Sequence, residues 1–339
     1  MALLFFFITF AVMKQSNESL SLHAPLVSFI ITAYNVPSEF LEECLKAILQ
    51  LSLNVKDREI ILVDDGSEMA AINGLMDYQD DIIYLRQSHQ GLSVARNRGI
   101  QVATGRYLQF IEGNNYFVQT AYEHCLDLVR YHDPDVVCFQ STDKVVSDVP
   151  YTFSQPVSGS AFLHNQDIAT SVGLYVFRAS AMRNLRFTPG ILNEDEEFTP
   201  LLFIRADRVM ATDAKALFRR PKEEQAVAQK ENKRYVLKRL ADMELVIFRL
   251  QEKAIHLSAT ERVALNRRIA QLTMDYLCDA IVSTKSLNYV EEAIQRLRSK
   301  GLYPLPDKKY SKKYQLFCKT INSRVGRRLL VLTLPRISS

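Results

Sequence analysis

Disulfide frameworks and metal knuckles need cysteines in pairs, and this chain has none. Its five cysteines, Cys44, Cys125, Cys138, Cys278 and Cys318, are odd in number and widely spaced, with no CxxC. That argues against a cysteine-built zinc site and for reduced thiols in a cytoplasmic setting. Charge of one sign is scarce as well. A net charge of +4 over 339 residues gives no basis for nucleic-acid binding, and no nucleic-acid module is recognisable, so no such partner is expected. There is no internal repeat and no low-complexity segment.

Long apolar runs are also missing. Residues 2–13 are mostly apolar, but a bilayer span takes roughly 20 residues. The run lacks the basic n-region and clear small-residue cleavage site of a signal peptide. Met13 precedes the polar stretch KQSNES, which reads as a natural translation start; a membrane-touching segment is the alternative. Residues 1–24 are therefore set apart as an N-terminal extension.

What is present suits a sizeable core: 47% apolar and 24% charged residues. Residues 26–32 form a near-continuous apolar run ended by Tyr34, Asn35 and Pro37. Phe40, Leu41, Cys44, Leu45, Ile48 and Leu49 then recur at helical spacing. Further strands are predicted over 59–63, 82–85, 107–111 and 135–139, with helices over 92–103 and 120–131. Strands apolar on both faces and joined by helices imply an α/β fold, a doubly wound, mostly parallel sheet with helices on both faces. The stretch DKVVSDVPYTFSQPVSGS, residues 143–160, reads as a hairpin or lid-like excursion. Beyond residue 220 the pattern is all helical, over 235–257, 259–283 and 290–300.

Four polar loops should converge at the C-terminal ends of these strands, where open α/β sheets hold ligands. ITAYN (31–35) offers a hydroxyl and an aromatic ring; VDDGS (63–67) offers two carboxylates around a tight glycine turn. GLSVARNRG (91–99) opens a helix carrying Arg96, and IEGNN (111–115) ends the fourth strand. A ring can stack on a base, carboxylates can accept from base and ribose donors, and arginine can meet phosphate. Each loop alone has an ordinary reading as a turn or a solvated face; the ordered set is far less often accidental. His89 and His164 have no partners at metal-ligand spacing and read as ordinary polar residues.

VSFIITAYN, EIILVDDGS, GLSVARNRGI, ATGRYLQFIEGNNYF and NEDEEFTPLL together resemble the family 2 glycosyltransferases, over residues 25–220. The resemblance implies a GT-A fold with a nucleotide-binding half (25–115) and an acceptor half (116–220). It also implies an inverting transfer of a sugar from a nucleotide-diphosphate donor. By analogy, Thr32, Tyr34 and Asp64 would contact the base, in this family usually uracil of a UDP-sugar, with Asp65 and Arg96 close by, and Glu112 would face the ribose. The family's Asp-x-Asp-Asp motif reads Glu112-Gly113-Asn114-Asn115 here. Asn114 then offers a neutral amide where an anion would help hold Mg²⁺ or Mn²⁺, which should weaken the metal site. In NEDEEF the resemblance makes Asp195 the catalytic base, with Glu194 positioning the acceptor; helix N-terminal charge is the plain alternative. FRRP (218–221) matches a stretch that could reach the diphosphate, or is a strand-end charge pair.

Residues 221–304 would form a helical C-terminal region and 305–339 a basic amphipathic tail. The tail holds nine Lys or Arg against the single acid Asp307. Such a stretch can lie on an anionic bilayer or pack on its own domain. Two functions follow. One is a membrane-associated transferase extending a glycan or lipid-linked acceptor in surface polysaccharide synthesis. The other is an inactive relative that binds a nucleotide sugar or a partner enzyme.

Overall fold

A computed structural model describes residues 24–144, 150–169, 171–221, 232–308 and 310–337. The expected start at Met13 and the apolar 2–13 run lie outside the described residues.

The strand β1 (Val27–Ala33) is buried along its whole length, which is what an apolar strand covered on both faces should show. Beside it run β2 (Arg58–Asp64), β3 (Ile83–Arg86) and β4 (Tyr107–Glu112), all parallel to it. Helices α1 (Ser38–Leu49), α2 (Leu92–Val102) and α3 (Gln119–His132) connect and cover them. The sheet is completed by β5 (Tyr116–Phe117), β6 (Val136–Thr142), β7 (Tyr175–Arg178) and β8 (Val209–Phe218), in the order β3-β2-β1-β4-β7-β6-β8-β5. It is mostly parallel but mixed, because β7 runs antiparallel to both β4 and β6. That reversal has a consequence for the site. The segment just before β7 is carried to the C-terminal end of β4, the same edge at which the four polar loops emerge.

Odd and even positions of the strands feed two cores. Phe29, Ile31, Ile60 and Leu62 pack with α1 and α3; Ile30, Ile61, Val63 and Phe110 pack toward α2 and the later helices. Those later helices are α4 (Gly159–Asn165), α5 (Glu194–Ile204), α6 (Lys233–Ile255), α7 (Ala259–Thr284) and α8 (Leu287–Ser299), followed by α9 (Lys312–Ile321) and α10 (Arg324–Ile337). Leu240, Leu265, Tyr276 and Leu297 from the helical region share a continuous core with the sheet residues. All five cysteines are free thiols.

Two segments were open to more than one reading from the sequence. In the described part of 143–160, Ser154 and Val157 donate backbone hydrogen bonds to Ala211 and Val209 of β8. The segment flanks the sheet instead of lidding the strand ends; its apolar residues alternate and so suit an edge pairing. For the tail, read as lying on a bilayer or packing on its own domain, the described residues take the packed form. Tyr314, Phe317, Cys318 and Ile321 are buried, and the Arg327 guanidinium pairs with Glu291 and donates to the Tyr303 hydroxyl. Burying an aromatic or aliphatic side chain is worth roughly 1.5–3 kcal/mol, which favours the packed state. Among the described residues no helix is long and apolar enough to cross a membrane.

Candidate active site

The geometry begins with the register. Thr32 and Glu112 are neighbours on β1 and β4, and Ala33 lies beside Asp64, so three of the polar loops leave the sheet side by side. Gly66 takes φ +80°, and a Cβ there would sit 2.5 Å from the His89 nitrogen. Only glycine lets the VDDGS turn approach the 87–91 segment this closely. Gly113 is similarly confined: its N–H donates to the Thr32 carbonyl, and a Cβ would meet Leu41 at 2.7 Å.

Asp64 and Asp65 are both nearly or fully buried. Asp64 accepts from the Ser67 and Ala71 N–H groups and from the Tyr84 hydroxyl at 2.7 Å. Burial pushes its carboxyl up, but these donors outweigh burial and leave it below the ordinary value. Tyr84 moves the other way, to about 12, through its own burial and the Asp64 bond. Asp65 accepts from Gln87 Nε2 and from the Gln90 and Gly91 N–H groups. Both aspartates therefore brace the loops, and neither offers an uncommitted oxygen toward the crevice.

His89 is the residue the sequence reading passed over. Its ring stacks on Tyr34 at 3.9 Å between centroids, and its Nδ1 is 2.9 Å from an Asp65 oxygen. Tyr34 itself is about half exposed, leaving its outer face open. The signal available in the sequence was position alone: His89 immediately precedes the loop that opens α2.

The acidic cluster is more than helix-terminal charge. Each acid of Glu194–Glu197 meets an arginine, and the three arginines come from three different elements. Arg96 on α2 donates Nη1 to Glu194 Oε1 at 3.0 Å and to Asp195 Oδ1 at 2.7 Å. Arg268 pairs with Glu196, and Arg249 with Glu197. Arg96, expected close by the base-contacting residues, is committed here to the acidic pair, with its guanidinium 5.0 Å from the Phe187 ring centroid. The second Asp195 oxygen accepts from the Val172 N–H, just ahead of β7. Burial pushes both carboxyls up, opposed by Arg96 and aided by the nearby Glu112 charge; Glu194 reaches about 7.

Arg96, Glu112, Asn115, Ser171, Gly173 and Arg219 line one small pocket beside this pair. Glu112 is exposed with no side-chain hydrogen bond to a described residue, and the Arg219 guanidinium has none either. Of the FRRP pair, only Arg219 faces the pocket. Arg220 is turned away: it pairs with Glu43, lies 4.0 Å over the Phe40 ring, and its N–H donates to Asn115 Oδ1.

That bond tests the expected metal site. Asn115 is spent on Arg220, Asn114 supplies one neutral amide, and Glu112 is the loop's single carboxylate. The other acids of the crevice are held by protein donors. No group of three His, Cys, Asp or Glu among the described residues could hold an ion. Hard divalent cations need several charged oxygens, so this donor set does not fit one held by the protein.

A mixed α/β sheet with this strand order, loops gathered at one edge and a paired Glu-Asp on a following helix define a GT-A domain. Residues 28–187 match the family model described as glycosyl transferase family 2, and the domain they form belongs to that family. Among curated proteins, the chain is 32% identical over 206 residues to the uncharacterized glycosyltransferase EpsJ of Bacillus subtilis, covering 56% of this chain and 59% of EpsJ. It thus spans about three-fifths of that relative's length. Among solved structures it resembles residues 1–349 of S. aureus TarS in complex with UDP-GlcNAc, at TM-score 0.58 and 15% identity, covering 87% of this chain and 90% of that one. It also resembles a mannosyltransferase from Pyrobaculum calidifontis in complex with GDP-Man and Mn²⁺, at TM-score 0.53 and 12% identity, covering 97% and 94%. At these identities the two structures speak for the fold alone.

Proposed function

We propose that the chain is an inverting glycosyltransferase that takes a sugar from a nucleoside-diphosphate donor to the hydroxyl of a glycan or lipid-linked acceptor. The observation that carries this reading is the Arg96 bridge to Glu194 and Asp195 beside Glu112. It brings together a buried carboxylate pair and a solvent-facing carboxylate at the edge where the family holds its donor. Tyr34 offers its open face to the base, Thr32 and Glu112 their oxygens to base and ribose, and Arg219 its guanidinium to the diphosphate. Asp65 and His89 hold the wall behind Tyr34.

In the reaction, the acceptor hydroxyl oxygen attacks the anomeric carbon while Asp195 takes the hydroxyl proton. The bond to the diphosphate breaks on the opposite face, its electron pair leaves with the nucleoside diphosphate, and the configuration inverts. A carboxyl raised by burial is a better match to that proton than an exposed one. No step is assigned to a metal, since the donor set does not fit one; Arg219 supplies charge on the leaving side.

The test is Asp195→Asn. Transfer should fall by roughly 10²–10⁴-fold, the usual worth of a positioned base, with donor affinity unchanged in calorimetry. Donor affinity lost along with activity would assign Asp195 to binding. Donor binding by wild type with no transfer to any acceptor fraction would favour the second reading, a nucleotide-sugar-binding relative, which the loss of charge in IEGNN supports.

We further propose contact with a membrane surface. Val325, Leu329 and Leu332 are exposed along one face of α10, with Leu316 exposed on α9 and Arg324 and Arg328 exposed beside them. This is the part of the tail that packing left uncovered.

A further inference from the structure

A second concavity lies on the acceptor side of the domain. It is a cleft of about 480 Å³ between the end of β6, the 154–157 segment, α4 and the loop that follows α4. Gln140, Gln155, Asn165 and Gln166 line it. All four are exposed, and none of their side-chain amides bonds a described residue. Phe162 lies among them, half-buried and tilted against Phe203 at 5.4 Å. The lining acid Asp167 is already neutralised, since Arg267 and Gln271 donate to its Oδ1 at 2.8 and 2.6 Å. The cleft therefore presents no uncompensated charge.

An amide donates and accepts at once, as a sugar hydroxyl does, and an aromatic ring offers an apolar face to the C–H side of a pyranose. A convergent set of free amides around one ring, with no net charge, fits a neutral carbohydrate. It does not fit a phosphate or an acidic chain. One edge of the cleft also lies close to the base along the chain. Ala169 lines the cleft and its carbonyl accepts from the Tyr175 hydroxyl; Ser171 lines the active pocket; Val172 donates to Asp195. Consecutive Cα atoms are 3.8 Å apart, so Ala169 and Val172 are separated by at most about 11 Å.

We propose that this cleft is a subsite for a neutral oligosaccharide acceptor, gripping sugar units behind the one whose hydroxyl faces Asp195. The proposal rests on the transferase reading above and adds the chemical class of the acceptor. Specificity is then read by Gln140, Gln155, Asn165 and Gln166, outside the donor pocket.

Saturation-transfer NMR on the full chain tests it, with cellotetraose, chitotetraose and maltotetraose as neutral probes and tetragalacturonate as the acidic one. At least one neutral probe should receive saturation, and the double variant Gln140→Ala, Asn165→Ala should weaken it at least fivefold. These residues are exposed, so the fold should survive; unchanged UDP- or GDP-induced thermal shifts in the variant check both folding and the donor pocket. Saturation of none of the neutral probes, preference for tetragalacturonate, or equal binding by the variant overturns the proposal. A wild-type protein that binds a neutral probe but shows no shift with either nucleotide would instead count against the donor reading and leave the subsite standing.

Discussion

Arg96 Nη1 lies 2.7 Å from Asp195 Oδ1, although the two are 99 positions apart in the chain. The guanidinium is almost wholly buried, and its other carboxylate partner is Glu194 at 3.0 Å. One cation thus serves two acids, so the pair carries a net negative charge that burial resists. Removing one partner of a buried ion pair typically costs roughly 3–5 kcal/mol. Arg96→Met should destabilise the fold by that order in urea melts and push both carboxyls further up. A variant as stable as wild type would show that the pair is not held by Arg96.

The pH behaviour follows from the same geometry. Glu194 titrates near 7 in the folded protein against an ordinary 4.5, driven by burial. An acid raised on folding makes the native state bind more protons than the unfolded one. Its contribution to stability is complete below about 4.5 and is lost as pH rises through about 7. Wild type should therefore lose stability across that window, and Glu194→Gln should flatten the loss. Transfer should show the opposite trend, with kcat/KM rising as the coupled pair ionises. In Glu194→Gln the limb should move to lower pH, because one negative neighbour of Asp195 is gone; a limb that stays in place would sink the coupling.

IEGNN gives a prediction about metal. Donor binding by wild type should be indifferent to EDTA, whereas Asn114→Asp should make it respond to Mn²⁺ by adding a second charged oxygen beside Glu112. Thermal shifts with UDP and GDP, with and without Mn²⁺, read this directly. A wild-type shift abolished by EDTA would overturn the account of the donor set.

Glu112→Ala and Arg219→Ala address the donor from its two ends. A hydrogen bond to a charged group is worth roughly 1.5–3 kcal/mol, so each variant should bind UDP or GDP about tenfold or more weakly. Both side chains lack described partners and have little structural role to lose. Unaltered affinity in Glu112→Ala would remove it from the ribose, and in Arg219→Ala would remove it from the diphosphate.

For the tail, Leu329→Asp with Leu332→Asp should reduce pelleting with vesicles containing anionic lipid while leaving the melting temperature nearly unchanged, since both side chains are exposed. Equal pelleting would leave the tail with a purely structural role.

Much of the first half was legible because its signals are local. A short apolar run rich in β-branched residues and closed by turn residues, such as VSFIITA, favours a strand covered on both sides, and the residues that end it then emerge at one edge of the sheet. The family resemblance then singled out Glu112 at one of those ends, and Glu194 and Asp195 at the start of α5. The second half was less legible: β7 is four residues long and β8 lies among polar positions, so neither stands out by periodicity.

What the sequence by itself determined is the order of the principal strands and helices up to residue 139, the polar loops and the loss of charge in IEGNN, each fixed by neighbours in the chain. Only tertiary structure decided which charged groups are free. Asp64 and Asp65 became loop braces, Arg96 turned to the acidic pair, Arg220 to Glu43, and most of the tail's apolar face to the core. A buried charge must find its partner wherever packing brings one, and those partners lie far apart in sequence.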